Sequence, residues 1–376
     1  MAANVKRLVI VGQGAAGLAA AVNAAERAAR EQAPIDITLI EKAKPDVAGG
    51  NSRWSPSYMR MAAPNRIAPN FEEDMQCASG GKADRAYFHE LAVRAPATMQ
   101  WLEGHGVRFD RPTYYLSVGP PRIQPVGGGA ALISRLLEVA CRVGVSIRYG
   151  TSATRLIVEG GVVRGVEVNG HMTMGADAVI LASGGFQGNP DMMGEFFGSR
   201  AQTMPMISPG TSFNTGDGIR IAIAAGATPA GDWNGMHAEP VDPRSSKSAP
   251  VVLVYPYGIV VDRTGQRIFD EGAGLVHETW EVFARDIHFD CPGSIAYAVL
   301  DSRLRDIAGF ERAIRSDVPP FEAETIEDLA RMIAVPQEAL ARTVATFNVA
   351  ATGDVARFDA TRCDGLAATG LMPPPL

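Results

Sequence analysis

Cysteine, long apolar stretches and clustered positive charge are all in short supply in this sequence. The four cysteines, Cys77, Cys141, Cys291 and Cys363, lie far apart with no CxxC pair. That argues against a zinc site or a disulfide framework, so no metal is expected and a reducing cytoplasm is the simplest home. No segment is apolar for long enough to cross a bilayer. Lys6 and Arg7 precede an apolar run in the manner of a signal peptide, but Gly12, Gln13 and Gly14 interrupt it almost at once. Lysines and arginines form no run, and 35 of them against 41 acidic residues leave a formal net charge of -6. Neither nucleic acid nor an anionic membrane surface is therefore expected as the main partner. Internal repeats are absent, and low complexity is confined to residues 373–375. What is present is a chain of 376 residues, 46% hydrophobic and 20% charged, long enough for two domains with substantial cores.

The first motif is RLVIVGQGAAGLAAAVNAAERAAREQAPIDITLIEK. Residues 8–11 are a short β-branched run suited to a parallel strand buried on both faces. An alanine-rich helix is expected over residues 15–30, with Leu18 and Val22 on its packing face, and a returning strand over residues 35–40. Gly12, Gly14 and Gly17 form a GxGxxG set in that context. Gly12 makes a tight turn, Gly14 lets the backbone approach a pyrophosphate, and Gly17 lets the helix lie against the strand. Phosphates there would face free N–H groups, those of Ala15 and Ala16 among them, at the positive end of a helix. Glu41, followed by Lys42, closes the second strand where a carboxylate accepts from a ribose hydroxyl and repels a 2'-phosphate. Glycines in an alanine-rich chain also serve close packing, but strand, helix, strand and terminal acid are all in register here.

A second glycine stretch, GGNSRWSPSYMRM, begins at Gly49 and Gly50 and continues with Asn51 and Ser52. It reads either as an ordinary polar loop or as a second clamp on the same pyrophosphate. NAD enzymes usually continue from the first unit into another strand and helix. Direct entry into a glycine and hydroxyl loop instead suits an extended FAD. Downstream, residues 145–149 read as a strand, residues 155–158 and 162–168 as a hairpin around Gly160 and Gly161, and residues 178–182 as a buried strand. That strand ends in Ser183, Gly184 and Gly185, small residues that let a backbone lie against a cofactor, although such turns are common in any fold. In FNTGDGIRIAIAAGA, Thr215 precedes a helix and Asp217 stands at or near its cap, where it either caps the helix or contacts the flavin.

Together, IVGQGAAGLAAAV, GGNS, ILASGGF, NTGDGIRIAIAAGA and GIVVDRTGQRIFDEG resemble the flavoproteins of the succinate dehydrogenase and fumarate reductase superfamily. Within it, GGNS followed by Met59-Arg60-Met61, PVGGGAALISRLLEVACRVGVSIRYGT, His237 with Arg244 in HAEPVDPR, and FDATRCDGLAATGLMPPP are most similar to the FAD-dependent tricarballylate dehydrogenases. The resemblance covers essentially the whole chain. It implies an α/β fold: an FAD-binding Rossmann-like (two-dinucleotide-binding flavoprotein) domain with an inserted α+β capping domain. The first part of the FAD domain is expected over residues 1–232, with helices over residues 83–104 and 130–143. The cap is expected over residues 233–352, with strands over residues 251–255 and 258–261, a turn from Asp262 to Gly265 and helical structure over residues 326–350. Residues 353–376 would begin the return to the FAD domain.

The implied activity is dehydrogenation at adjacent carbons of a carboxylic acid, tricarballylate to cis-aconitate, by hydride transfer to flavin N5. A small di- or tricarboxylate is the expected substrate, and a membrane-associated electron-transfer protein the implied acceptor. Such a substrate needs cations around it, and arginine's planar fork suits carboxylates best. His237, Arg244 and Arg60 are the catalytic candidates, followed by Arg122 and Lys247, each with the alternative of an ordinary surface or packed residue. Two departures qualify the resemblance. In fumarate reductases the segment resembling GQRIFDEG runs shortly into a proton-delivering arginine, whereas this chain continues Gly272-Ala273-Gly274-Leu275-Val276. The loop at Asn51 also lacks the histidine that carries covalent flavin in membrane-bound succinate enzymes, so noncovalent FAD is expected. Relatives continue past GLMPPPL, so a fragment with weak or no turnover is expected. The competing readings are a fumarate-reductase-like or ketosteroid-dehydrogenase-like flavoenzyme and a truncated FAD-binding module without catalysis.

Overall fold

The computed structural model describes residues 5–112 and 121–351. They divide into two compact units, residues 5–112 with 121–235, and residues 236–351. The segment expected to return to the first domain, residues 353–376 with Cys363, lies outside the described residues.

In the first unit, β1 (Lys6–Val11), α1 (Ala15–Arg30) and β2 (Ile35–Ile40) follow one another as the sequence predicts. β1 is buried from Leu8 to Val11 because it has a strand on either side and structure packed on both faces. Its neighbours are β2 and β7 (Ala178–Leu181), and β3 (Ser146–Arg148) lies beyond β2 in the same parallel sheet. Register places Val11 opposite Ile40 on one side and Leu181 on the other, so three strands end together. Turns leaving carboxyl ends of neighbouring parallel strands enclose a crevice. On one face of the sheet, Leu18 and Val22 of α1 pack with Ile10, Leu39 and the Leu132 and Leu136 side chains of the later helix Gly128–Arg142. On the other face lies an antiparallel meander of β4 (Ala153–Glu159), β5 (Val162–Val168) and β6 (Met172–Gly175), whose Ala153, Val166 and Val168 meet Val9, Val11 and Ile40. The expected hairpin turns at Gly160 and Gly161, both at positive φ. Further helices are α2 (Gly50–Trp54), α3 (Phe71–Ala78), α4 (Arg85–Gly104), α5 (Gly128–Arg142), α6 (Pro190–Phe197) and α7 (Asp217–Ala224).

The second unit is built on β8 (Ile259–Asp262), α8 (Val276–Asp290), β9 (Ala296–Val299), α9 (Ile326–Met332) and α10 (Gln337–Ala350). β8 and β9 pair antiparallel. Strand alternation sends Ile259 and Val261 into a core with Leu340 and Phe347, and Val260 into another with Tyr255 and Phe283. The turn after β8 forms where expected, with Asp262 Oδ1 accepting from Thr264 N at 2.8 Å and Gly265 at φ +79°.

Two expectations here need correction. Residues 251–255 are not a strand: Val251 and Val252 make only isolated bridges, to Val241 and Ile314, before a 3-10 turn at Tyr255–Tyr257. Pro250 and Pro256 bracket the stretch and offer no N–H for a ladder. The helical run over residues 326–350 is two helices, because Pro336 cannot continue a helix and Ala334 sits at φ +55°. Among the described residues no helix is long and apolar enough to cross a membrane.

Candidate functional site

The first turn closes on Gly12. Its amide donates to Ile40 O at 2.8 Å, its φ is +105°, and a Cβ would stand 2.5 Å from Ala182 O, so only glycine turns here. A Cβ on Gly17 would lie 1.9 Å from Gly12 O, which is the close approach of α1 to the turn. Gly14 differs, since a Cβ there would meet nothing nearer than Ser52 Oγ at 3.6 Å. No protein atom demands glycine at 14; the room beside it belongs to the cleft.

The second glycine stretch reaches this turn. Ser52 Oγ accepts from Ala15 N at 3.3 Å across 37 positions of sequence. Gly49 bends the chain at φ +117°, where a Cβ would crowd Arg53 Cβ at 2.9 Å. α5 packs tightly behind, because a Cβ on Gly129 would lie 1.9 Å from Ser52 O. Among the described residues nothing accepts from the amides of Gly14, Ala16, Asn51 or Ser52. Unpaired N–H groups from two turns around one cleft form a donor set that a diphosphate completes.

That cleft, about 560 Å³, lies between these turns and the end of β7. Gly12, Gly14, Ala15, Ala16, Glu41, Lys42, Gly50, Asn51, Ser52, Ser183, Gly184, Gly185 and Asp217 line it, whereas Gly17, Gly49 and Thr215 do not. Glu41 is 7% exposed, with Oε2 accepting from Gln13 N at 2.8 Å and Oε1 from Ala43 N at 2.7 Å. The carboxylate keeps lone pairs for a ribose hydroxyl. Lys42 Nζ donates to Thr215 Oγ1 at 2.6 Å and Asp217 Oδ2 at 2.8 Å, so its charge is matched within the protein. Burial pushes the Asp217 carboxyl up, but hydrogen bonds from Lys42 and Arg220 outweigh it and hold the group below its usual value. The capping reading of Asp217 is corrected: it is the first helical residue, and the cap position is Gly216 with no side-chain bond. Ser183 Oγ accepts from Gly218 N at 3.2 Å, and Gly216 N donates to Gly185 O at 3.0 Å, which ties the end of β7 to the start of α7.

Three residues here escaped the sequence reading. Gln13 is 2% exposed with its Oε1 unbonded; burial raises the Tyr149 hydroxyl's pKa, against a lowering hydrogen bond from Gln13. Ser208 and Thr211 both bond to Asn51 Oδ1. Nothing local marks these two, since 157 and 160 positions separate them from Asn51.

The catalytic candidates divide between the two units. In the first unit, Arg60 and Arg122 flank the bridge of Met59 with Ile123. Arg60 Nη1 is buried without a partner among the described residues, and the Arg122 guanidinium stacks 4.1 Å from the Tyr58 ring centroid. In the second unit, Arg244 is already forked onto Asp242, Nε to Oδ1 at 2.9 Å and Nη2 to Oδ2 at 2.8 Å, with its face over Phe321. Burial raises the Asp242 carboxyl, but Arg244 and Ser316 prevail and hold it at about 2. One edge of Arg244 is thus spent, and only the remaining N–H groups can meet another carboxylate. His237 is bonded by Glu239 at 3.4 Å and Glu281 at 3.1 Å, which raise its pKa to about 9. Its two carboxylate partners thus favour the imidazolium form at neutral pH. Lys247 is exposed.

A protein-family profile described as FAD binding domain matches residues 7–374. The probable fumarate reductase Ifc3 of Shewanella frigidimarina (strain NCIMB 400) is 27% identical over 365 residues, 91% of this chain and 58% of its own length. The vinyl phenol reductase of Lactiplantibacillus plantarum is 26% identical, over 91% of this chain and 76% of its own. The 4-oxocyclohexanecarboxylate 2-dehydrogenase of Sinomonas cyclohexanicum is 30% identical, over 69% and 48%. The chain thus spans from about half to three quarters of the length of these relatives. Among solved structures, the open conformation of a flavocytochrome c3 fumarate reductase matches with a TM-score of 0.73 at 24% identity, over 99% of this chain and 65% of that one. The latter likeness is one of fold.

Proposed function

Because the chain belongs to the family of FAD binding domains, matched over residues 7–374, we propose that it is a flavin-dependent oxidoreductase acting on adjacent carbons of a small carboxylic acid, with tricarballylate as the leading substrate. The observation that carries the cofactor half of this reading is the contact of Ala15 N with Ser52 Oγ, which joins two glycine turns around one cleft. Unpaired amides at Gly14, Ala16, Asn51 and Ser52 suit the diphosphate, Glu41 the adenosine ribose, and the small residues Ser183, Gly184 and Gly185 the flavin end. FAD is held without a covalent bond. When bound, it supplies the hydride acceptor or donor at N5.

The protein's own work is to hold carboxylates and keep the reacting carbons in place. In the second unit, which we read as the cap, His237 and Arg244 are the proposed carboxylate-recognising cations. Arg60 is their counterpart in the first unit, because its buried Nη1 has no partner among the described residues. The bonds of His237 to Glu239 and Glu281 favour its charged form, which suits it to recognise a carboxylate. The resemblance to tricarballylate dehydrogenases supports oxidation, with an electron-transfer protein as acceptor. A second reading, reduction of an unsaturated acid, is favoured by the fumarate and vinyl phenol reductases among the relatives.

Anaerobic titration of the FAD-loaded chain separates them. Tricarballylate should bleach the oxidised flavin, and fumarate should not reoxidise flavin reduced beforehand. Reoxidation by fumarate with no bleaching by tricarballylate would reverse the assignment, and inertness to every acid would leave an FAD-binding module.

A further inference from the structure

The carboxamide of Asn51 has two opposite ends, an acceptor and a double donor, and the end turned to the cleft decides what position 51 can bind. The structure fixes that choice through two residues far along the chain. Ser208 Oγ lies 3.0 Å and Thr211 Oγ1 2.9 Å from Asn51 Oδ1, and the hydroxyls lie 3.2 Å from each other. Both residues are buried, at 7% and 3% exposure, and no other described group accepts their hydroxyl protons. With Oδ1 toward them, both protons find an acceptor. With the amide turned round, Nδ2 would donate to both oxygens, one proton could still go to the other hydroxyl, and the second would be buried with no acceptor. The observed orientation is therefore the satisfied one. It leaves Nδ2, which no described residue accepts from, as the free end of a side chain that lines the cleft. The turn Pro209–Phe213, which carries Thr211 and directly follows Ser208, sits on the second glycine turn, because a Cβ on Gly210 would come within 2.6 Å of Gly50 O.

On the reading that this cleft takes FAD, we propose that Ser208 and Thr211 are positioning residues that lock the Asn51 amide as a hydrogen-bond donor toward the cofactor's central diphosphate. Neither residue lines the cleft, so they act on the cofactor through Asn51. Two N–H donors are thereby added to the unpaired amides of Gly14, Ala16, Asn51 and Ser52, all of one polarity and suited to phosphate oxygens.

The test is a double-mutant cycle on the full chain, read as the Kd for FAD by quenching of flavin fluorescence. Ser208→Ala with Thr211→Val, which removes both hydroxyls at little change of volume, should weaken FAD binding about tenfold. ADP should be weakened by a similar factor and riboflavin, which has no diphosphate, unaffected. Thr211→Ser, which keeps a hydroxyl, should bind as the wild type does. In an Asn51→Ala background the hydroxyl pair should no longer matter, because its effect passes through the amide. Wild-type affinity in the hydroxyl-free variant, or the same tenfold loss whether or not Asn51 is present, would overturn the proposal. Failure of the wild-type chain itself to bind FAD would instead overturn the cofactor reading on which it rests.

Discussion

Glu41 and His237 show how differently two legible residues can behave once folded. The position of Glu41 at the end of the second strand could be read from the sequence. Its two backbone donors, Gln13 N and Ala43 N, could not. They make the carboxylate part of the turn as well as a candidate ribose ligand. Glu41→Ala should therefore destabilise the cofactor-free chain by about 2–6 kcal/mol, since two buried amides lose their acceptor at roughly 1–3 kcal/mol each. Urea unfolding without FAD measures this; an unchanged midpoint would mean that the carboxylate serves the ligand alone. His237 was picked out, with Arg244, by the resemblance to tricarballylate dehydrogenases, but its two carboxylate partners come from Glu239 beside it and Glu281 on α8, contacts that the fold creates. Its folded pKa of about 9 lies above the ordinary 6.5. The stabilisation it contributes is thus present in full below pH 6.5 and lost as pH rises through 9. Melting temperature should fall between pH 7 and pH 10 by less in His237→Gln than in the wild type, and parallel curves would show that the imidazolium contributes nothing.

Among elements, the strand, helix and strand of residues 6–40 were legible because their signal is local: a β-branched run, an alanine-rich amphipathic stretch and glycines at a fixed spacing. Residues 251–255 misled because an apolar β-branched run says nothing about its pairing partner, and the flanking prolines weighed against a ladder. The division of residues 326–350 was visible in Pro336, whose ring ends a helix whatever the surrounding periodicity. The glycine motif itself separates into two kinds of requirement. Gly17 is forced by Gly12 O at 1.9 Å from a would-be Cβ, whereas Gly14 has only ordinary contacts. Gly17→Ala should therefore cost stability on the scale of an overpacked core, about 1–3 kcal/mol or more. Gly14→Ala should leave unfolding of the flavin-free chain within about 1 kcal/mol of the wild type while weakening FAD binding at least tenfold. Denaturant midpoints and FAD titrations of the two variants check this, and equal destabilisation by both would remove the distinction.

At the scale of the whole chain, the α/β class followed from alternating strands and helices, and the parallel order β7-β1-β2-β3 places three turns at one end of one sheet. The seam where the chain divides, after residue 235, has no strong mark in composition, since Gly231, Gly235 and Pro240 resemble many other loop residues here. The partners of Asn51 were invisible for a related reason: side chains about 160 positions apart meet only once both segments have folded. What unites these scales is the claim that two glycine turns, from residues 12–17 and 49–52, grip one diphosphate in a single cleft. Titration of the flavin-free chain with FAD, calorimetrically and beside NADP+, tests it most directly. The account predicts one FAD per chain at micromolar Kd or tighter, with NADP+ at least a hundredfold weaker because Glu41 repels the 2'-phosphate, the difference being about 2.7 kcal/mol. Absence of FAD binding, or equal affinity for the two nucleotides, would contradict it.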